Sequence, residues 1–153
     1  MINEKEKNFL VLALVLSMCL AIPAMARNIS EFPAQNQDFF YPNYTGCLQS
    51  LLYYYHSTTR KKIVDSGGID KSYGPGTAEA VKVFQGRKGL DKDGKCGPLT
   101  WKALHGCLVN TKTEGYYEFY KLNGTYNTNC IKYNTGSGLW YSYYGDKWNY
   151  VGN

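Results

Sequence analysis

The apolar positions of this chain change their pattern four times, and each pattern predicts a different element. Phe9 to Ile22 is an almost unbroken apolar run, preceded by a polar start holding Lys5 and Lys7 and closed by Pro23-Ala24-Met25-Ala26. A charged start, an apolar run and an Ala-x-Ala end are the three parts of an export signal, here residues 1–26. The run is short for a bilayer span, so no stable membrane insertion is expected once it is removed. Residues 27–45 are polar, carry Pro33 and Pro42, show no period, and read as an extended lead-in. Leu48, Leu51, Leu52 and Tyr55 then fall at i, i+3, i+4 and i+7, which predicts a first helix over 46–56. Residues 57–68 are polar and end in Gly67-Gly68, the pattern of a loop.

The centre of the chain uses one device twice. Asp70-Lys71-Ser72-Tyr73-Gly74-Pro75-Gly76-Thr77 is echoed by Asp93-Gly94-Lys95-Cys96-Gly97-Pro98-Leu99-Thr100. Each copy is an Asp-led turn ending in Gly-Pro, and proline suits the first position of a helix because its missing N–H costs nothing there. Thr77, Ala80, Val81 and Phe84 make the apolar stripe of a second helix, with Arg87 and Lys88 in its last turn and Gly89 as its stop. Trp101 and Leu104 do the same for a third helix, stopped by Gly106. A turn-helix unit repeated over so short a span predicts a compact helical module with one core.

After Cys107 the pattern becomes aromatic alternation. Residues 108–153 hold nine tyrosines, two tryptophans and one phenylalanine, broken by Asn-Gly and Gly-Asp, which is a strand-and-turn signature. One hairpin is expected over Tyr116–Leu122 and Thr125–Tyr133 around Asn123-Gly124, a second over Trp140–Tyr144 and Lys147–Val151 around Gly145-Asp146. A two-residue loop at Gly145-Asp146 sets Tyr144 opposite Lys147, Tyr143 opposite Trp148 and Tyr141 opposite Tyr150. Tyr141, Tyr143, Trp148 and Tyr150 therefore share one face. That face is either the core of a small sheet, the default for so small a sheet, or a carbohydrate-binding platform. In the second case Trp140 and Tyr144 pack on the helices.

Composition narrows the partners. The formal net charge is +5, and the export segment contributes nothing to it, because Lys5 and Lys7 cancel Glu4 and Glu6. The excess favours polyanionic surfaces such as wall polymers. Arg60-Lys61-Lys62 is the one short basic cluster, too small for a nucleic-acid groove. With Cys19 in the export segment, Cys47, Cys96, Cys107 and Cys130 remain, and an even number in a small exported chain reads as two disulfides. Cys47–Cys96 with Cys107–Cys130 joins neighbouring segments; Cys47–Cys107 is the rival. The spacing lacks the close Cys pairs of a zinc site, and no cofactor is implied.

Residues 46–105 resemble the peptidoglycan-binding domain found in many bacterial cell-wall hydrolases, a three-helix module. The residues that carry the likeness are Leu48-Gln49, Asp70, Tyr73-Gly74, Thr77, Ala80-Val81, Phe84-Gln85, Gly89-Leu90, Asp93-Gly94, Gly97, Thr100-Trp101 and Leu104. Lys71 stands in place of a turn glycine, Tyr73 of the usual phenylalanine and Cys96 of an apolar residue. The resemblance implies a three-helix peptidoglycan-binding-like bundle over 46–107; with the strand pattern of 108–153, the expected fold is mainly α, that bundle followed by a small antiparallel aromatic-rich β extension. It also implies bacterial peptidoglycan as the partner.

Sugar rings bind by laying their C–H faces on aromatic rings while their hydroxyls meet polar groups. Within the module that points to Tyr73 and Trp101, with Asp70, Asp93, Gln85 and Arg87 nearby. Tyr73 is the leading candidate, because a tyrosine ring can pack while its hydroxyl stays wet. Trp101 falls on an inward helix face and reads first as core; Asp70 and Asp93 read first as turn-closing residues. His56 and His105 end the first and third helices and read as helix-end cations. With no set of acid, base and nucleophile, the expectation is a secreted, wall-associated, non-catalytic binding protein. A protein-binding module on the same fold is the alternative, and a small wall hydrolase comes third.

Overall fold

The computed structural model describes residues 28–152; the export segment expected over residues 1–26 lies outside them. Pro42 opens the first helix, α1 (Pro42–Tyr55), four residues earlier than the periodicity alone places it. Leu48, Leu51 and Leu52 on this helix are fully buried and Tyr55 nearly so. The stretch read as a polar loop is instead a second helix, α2 (Ser57–Asp65). Only Thr59 and Ile63 on it are buried, too few to print a period. Its ends are fixed by specific bonds: the His56 ring accepts from the Thr58 N–H at 3.1 Å, and the Ile63 carbonyl accepts from the Gly68 N–H at 2.9 Å. α3 (Pro75–Arg87) and α4 (Pro98–His105) follow, each with proline in its first turn as expected.

The lead-in is a strap. A 3-10 turn (Ile29–Glu31) buries Ile29, and Phe32 packs edge-on against Tyr44 at 5.0 Å and Trp101 at 5.3 Å. Gln35 is fully buried and pairs backbone to backbone with Cys96, at 3.0 and 2.8 Å. Its side-chain oxygen accepts from the Tyr41 N–H and the Thr45 hydroxyl at the start of α1.

The aromatic region is larger than a small extension. Five strands, β1 (Leu108–Glu114), β2 (Tyr117–Leu122), β3 (Asn129–Asn134), β4 (Leu139–Tyr144) and β5 (Lys147–Val151), form one antiparallel meander in chain order. The mainly α reading with a three-helix bundle is therefore corrected: among the described residues, four α-helices and a five-stranded sheet share one core. Ile131, Trp140 and Val151 from the sheet belong to the same buried cluster as Leu48 and Leu51 of α1. That pooling of apolar surface raises the fraction of surface a short chain can bury.

The last hairpin has the expected register, Tyr141 opposite Tyr150 and Tyr143 opposite Trp148. Gly145 and Asp146, at φ 58° and 57°, form the left-handed pair that a two-residue loop requires. Asn123-Gly124 is not such a turn. The loop from Asn123 to Thr128 leans on the end of α1, where the Thr125 N–H donates to the Tyr55 carbonyl at 2.8 Å. A Cβ on Gly124 would lie 2.0 Å from that carbonyl oxygen, so only glycine allows the approach. Gly46 does the same service on α1: a Cβ there would meet the Tyr144 hydroxyl at 2.9 Å.

The expected disulfides are not formed. Cys47, Cys96, Cys107 and Cys130 are all free thiols and all buried. Burial pushes the thiols of Cys47 and Cys96 far up and that of Cys130 up to about 12, which keeps them protonated and unreactive.

Candidate functional site

The repeated turns are built on two buried glutamines. At the first, the Gln49 amide donates to Asp70 Oδ1 (2.8 Å), the Thr77 hydroxyl (3.0 Å) and the Ser72 carbonyl (3.1 Å), and its oxygen accepts the Lys71 N–H (2.9 Å). At the second, Gln85 donates to Asp93 Oδ1 (2.8 Å), the Lys95 carbonyl (2.9 Å) and the Thr100 hydroxyl (3.1 Å), and accepts the Gly94 N–H (3.0 Å). Each aspartate also accepts the N–H two residues on, from Ser72 at 2.9 Å and Lys95 at 2.8 Å. The turn-closing role read for Asp70 and Asp93 is the one these bonds describe. The Lys95 N–H and then the Gln85 amide hold the Asp93 carboxyl below its ordinary range. Lys71 adopts φ 66° where Gly94 has 71°, so the lysine that replaces the turn glycine leaves the turn intact.

Two of the candidate ligand aromatics are core. Tyr73 is 2 % exposed, and its hydroxyl donates to the Gly94 carbonyl at 2.8 Å, tying one turn to the other. The expectation of a wet hydroxyl is therefore corrected: burial drives that hydroxyl's pKa well above its ordinary value. Trp101 is fully buried and its indole N–H donates to the Pro33 carbonyl at 3.0 Å. Its inward-facing reading stands in the structure. Gln85 and Asp93 lie together, whereas Arg87 is exposed in a neighbouring shallow trough with Glu79, Lys82, Val83 and Lys92. Tyr141, Tyr143, Trp148 and Tyr150 stand on the far side of the sheet from the helices, while Trp140, Ser142 and Tyr144 are the buried face of β4. The aromatic set is thus the outer face, not the core.

His56 is not a helix-end cation. Its Nδ1 accepts from Thr58, which needs a ring without a proton there, and desolvation followed by the charge of Arg87 lowers its pKa. Among the described residues, no group of three or more His, Cys, Asp or Glu side chains could hold a metal ion.

The two turns are equivalent in bonding and differ in what lies in front of them. Before the second turn is an open cleft of about 190 Å³ lined by Gln85, Leu90, Asp91, Asp93, Lys95 and Leu99. Leu99 on its rim is 69 % exposed. The matching corner at the first turn is only about 60 Å³. There Gly76 stands at the position of Leu99, and Ser66 at the end of α2 occupies the space, 2.1 Å from where a Gly76 Cβ would be. α2, the helix that periodicity missed, therefore closes one corner and leaves the other open. Leu99 and Lys95 were legible as repeat positions, but their exposure was not, because it depends on which corner α2 covers.

The open corner joins an exposed apolar side chain to a carboxylate, an ammonium and backbone polar groups. That combination suits a ligand with alternating apolar and hydrogen-bonding groups, such as an amino sugar or a short peptide. No curated protein and no solved structure matches the chain. Residues 47–104 match the family model described as a putative peptidoglycan binding domain, a span that runs from the first buried cysteine of α1 to Leu104 of α4 and contains both glutamine-held turns. Over residues 47–104, then, the chain is similar to the putative peptidoglycan binding domain.

Proposed function

We propose that the protein is a secreted, non-catalytic binder of bacterial cell-wall peptidoglycan, and that it engages the wall at the cleft between α3 and α4. The observation that carries this reading is the asymmetry of the two turns within the family-matched segment. One corner is sealed by Ser66, whereas the other presents Leu99, Leu90, Asp91 and Lys95 to solvent. Leu99 supplies the apolar contact for a sugar or stem-peptide face, and Asp91 and Lys95 supply an acceptor and a donor. Tyr73 and Trp101 act indirectly, by fixing the turn and the helix on which the cleft stands.

The family match over 47–104 supports peptidoglycan as the partner and cell-wall association as the setting. The export pattern of residues 1–26 supports secretion, and no helix among the described residues is long and apolar enough to cross a membrane. Two measurements test the reading. Co-sedimentation with purified sacculi reports binding, with retention expected. Turbidity of a sacculus suspension reports hydrolysis, with no loss expected; clearing of the suspension contradicts the non-catalytic part.

A further inference from the structure

The outer face of the sheet carries a second, continuous surface that the helical module does not use. Tyr117 and Phe119 from β2, Lys132 from β3, Tyr141 from β4, and Trp148 and Tyr150 from β5 lie on it side by side. Their rings form a chain of edge-on contacts: Tyr117 to Tyr141 at 6.2 Å, Phe119 to Trp148 at 5.7 Å, and Tyr141 to Tyr150 at 6.1 Å. The Lys132 ammonium sits at the centre, 4.1 Å from the Tyr117 ring, 4.8 Å from Trp148 and 5.4 Å from Tyr141. Strands about 4.8 Å apart make this face about 14 Å wide from β2 to β5, the reach of a short oligosaccharide.

Two observations say what fits there. The first is charge. Lys112 on the same face is engaged by Glu114 at 2.8 Å, but among the described residues Lys132 makes no ion pair. Its charge is met only by ring faces, which attract a cation without neutralising it. The second is the kind of apolar surface. Tyrosine and tryptophan present a ring and a polar tip together, which complements ligands that alternate C–H faces with hydroxyls.

We propose that this face binds a carboxylated polysaccharide, its carboxylate on Lys132 and its sugar rings against Tyr141, Trp148 and Tyr150. This site is separate from the α3–α4 cleft and does not depend on it.

The test is a binding titration of the full chain with polygalacturonate, using dextran as the uncharged control. The proposal expects binding to polygalacturonate that weakens with added salt, and little binding to dextran. Lys132→Gln should weaken it about three- to fivefold, the worth of one half-buried, solvent-screened charge contact. Tyr150→Ser, at a 42 % exposed position, and Trp148→Ser should each cost about tenfold or more, with far-ultraviolet circular dichroism unchanged. Leu99→Asp should leave this titration untouched. Absence of binding, equal binding of dextran, or indifference to both aromatic substitutions overturns the proposal. So does a dimer in sedimentation velocity that Tyr150→Ser abolishes, since that makes the face a contact between copies.

Discussion

Gln49 and Gln85 hold the two turns of the helical module by the same four bonds: an aspartate carboxylate, a threonine hydroxyl and a backbone carbonyl accept from the amide, and a backbone N–H donates to the oxygen. Both amides are almost fully buried, Gln49 at 1 % and Gln85 at 3 % exposure. Buried amides of this kind are stabilising only while every partner is kept.

Replacing Gln85 by alanine takes one donor from each of three acceptors and leaves the Gly94 N–H without its acceptor, around a small void. The cost expected in chemical denaturation is about 2–4 kcal/mol, with a similar loss for Gln49→Ala. A loss under about 1 kcal/mol at both positions would show that water replaces the glutamines readily and that the turns are not held from within.

Lys71 and Gly94 occupy the same left-handed position, and the chain accepts a side chain at only one of them. Gly94→Ala adds a Cβ 3.0 Å from the Lys82 Cε and 3.2 Å from the Ala78 carbonyl oxygen at φ 71°, so it should destabilise by about 1–2 kcal/mol. Lys71→Gly removes the same strain, offset by the loss of the 3.3 Å bond to Asn43, and should be neutral or stabilising by about 0.5 kcal/mol. Thermal unfolding of the two variants should therefore shift in opposite directions or, for Lys71→Gly, not at all.

His56 makes part of the stability pH-dependent. Its folded pKa is lowered below the unfolded value near 6.5, so the contribution is fully present above about pH 6.5 and is lost as pH falls through the folded value. Protonation removes the cap on α2, about 0.5–1 kcal/mol. His56→Asn keeps a capping oxygen that does not titrate. Urea midpoints of the parent should fall faster than those of His56→Asn as pH drops below about 6.5; parallel curves would show that the His56 cap does not titrate.

Gly124→Ala probes the seam between sheet and helices. Its Cβ cannot share space with the Tyr55 carbonyl, so the loop must lift from the end of α1 and break the Thr125 bond. We expect about 1–3 kcal/mol of destabilisation. Amide hydrogen exchange should rise at Thr125 well before it rises in β4 and β5, and exchange that is uniform across the chain would contradict that seam.

What could be read in the sequence was local. The Asp-led turns, the Gly-Pro helix starts and the register of β4 with β5 follow from residues within a few positions of one another. What could not be read depended on distant partners. α2 offers only Thr59 and Ile63 to the core, so its pattern looks like a loop. β1 is a charged, exposed edge strand with little apolar alternation, which protects a sheet edge but hides a strand. Tyr73 is buried because Gly94 supplies its acceptor, and the lead-in is ordered because Phe32 and Gln35 find Trp101 and Cys96. The residue types of the aromatic face were legible in advance, but which face met the helices depended on contacts between distant residues, such as the close approach of Tyr144 to Gly46 on α1.

The central claim is that the open corner between α3 and α4 is where the protein meets bacterial wall. Co-sedimentation of the full chain with purified sacculi, comparing the parent with Leu99→Asp and with Arg87→Ala in the neighbouring trough, tests it most directly. Leu99 is 69 % exposed, so its replacement leaves folding intact, and the account predicts that the parent and Arg87→Ala pellet with the wall while Leu99→Asp loses about tenfold in apparent affinity. A parent protein that stays in the supernatant, or a Leu99→Asp variant that pellets as well as the parent, contradicts it.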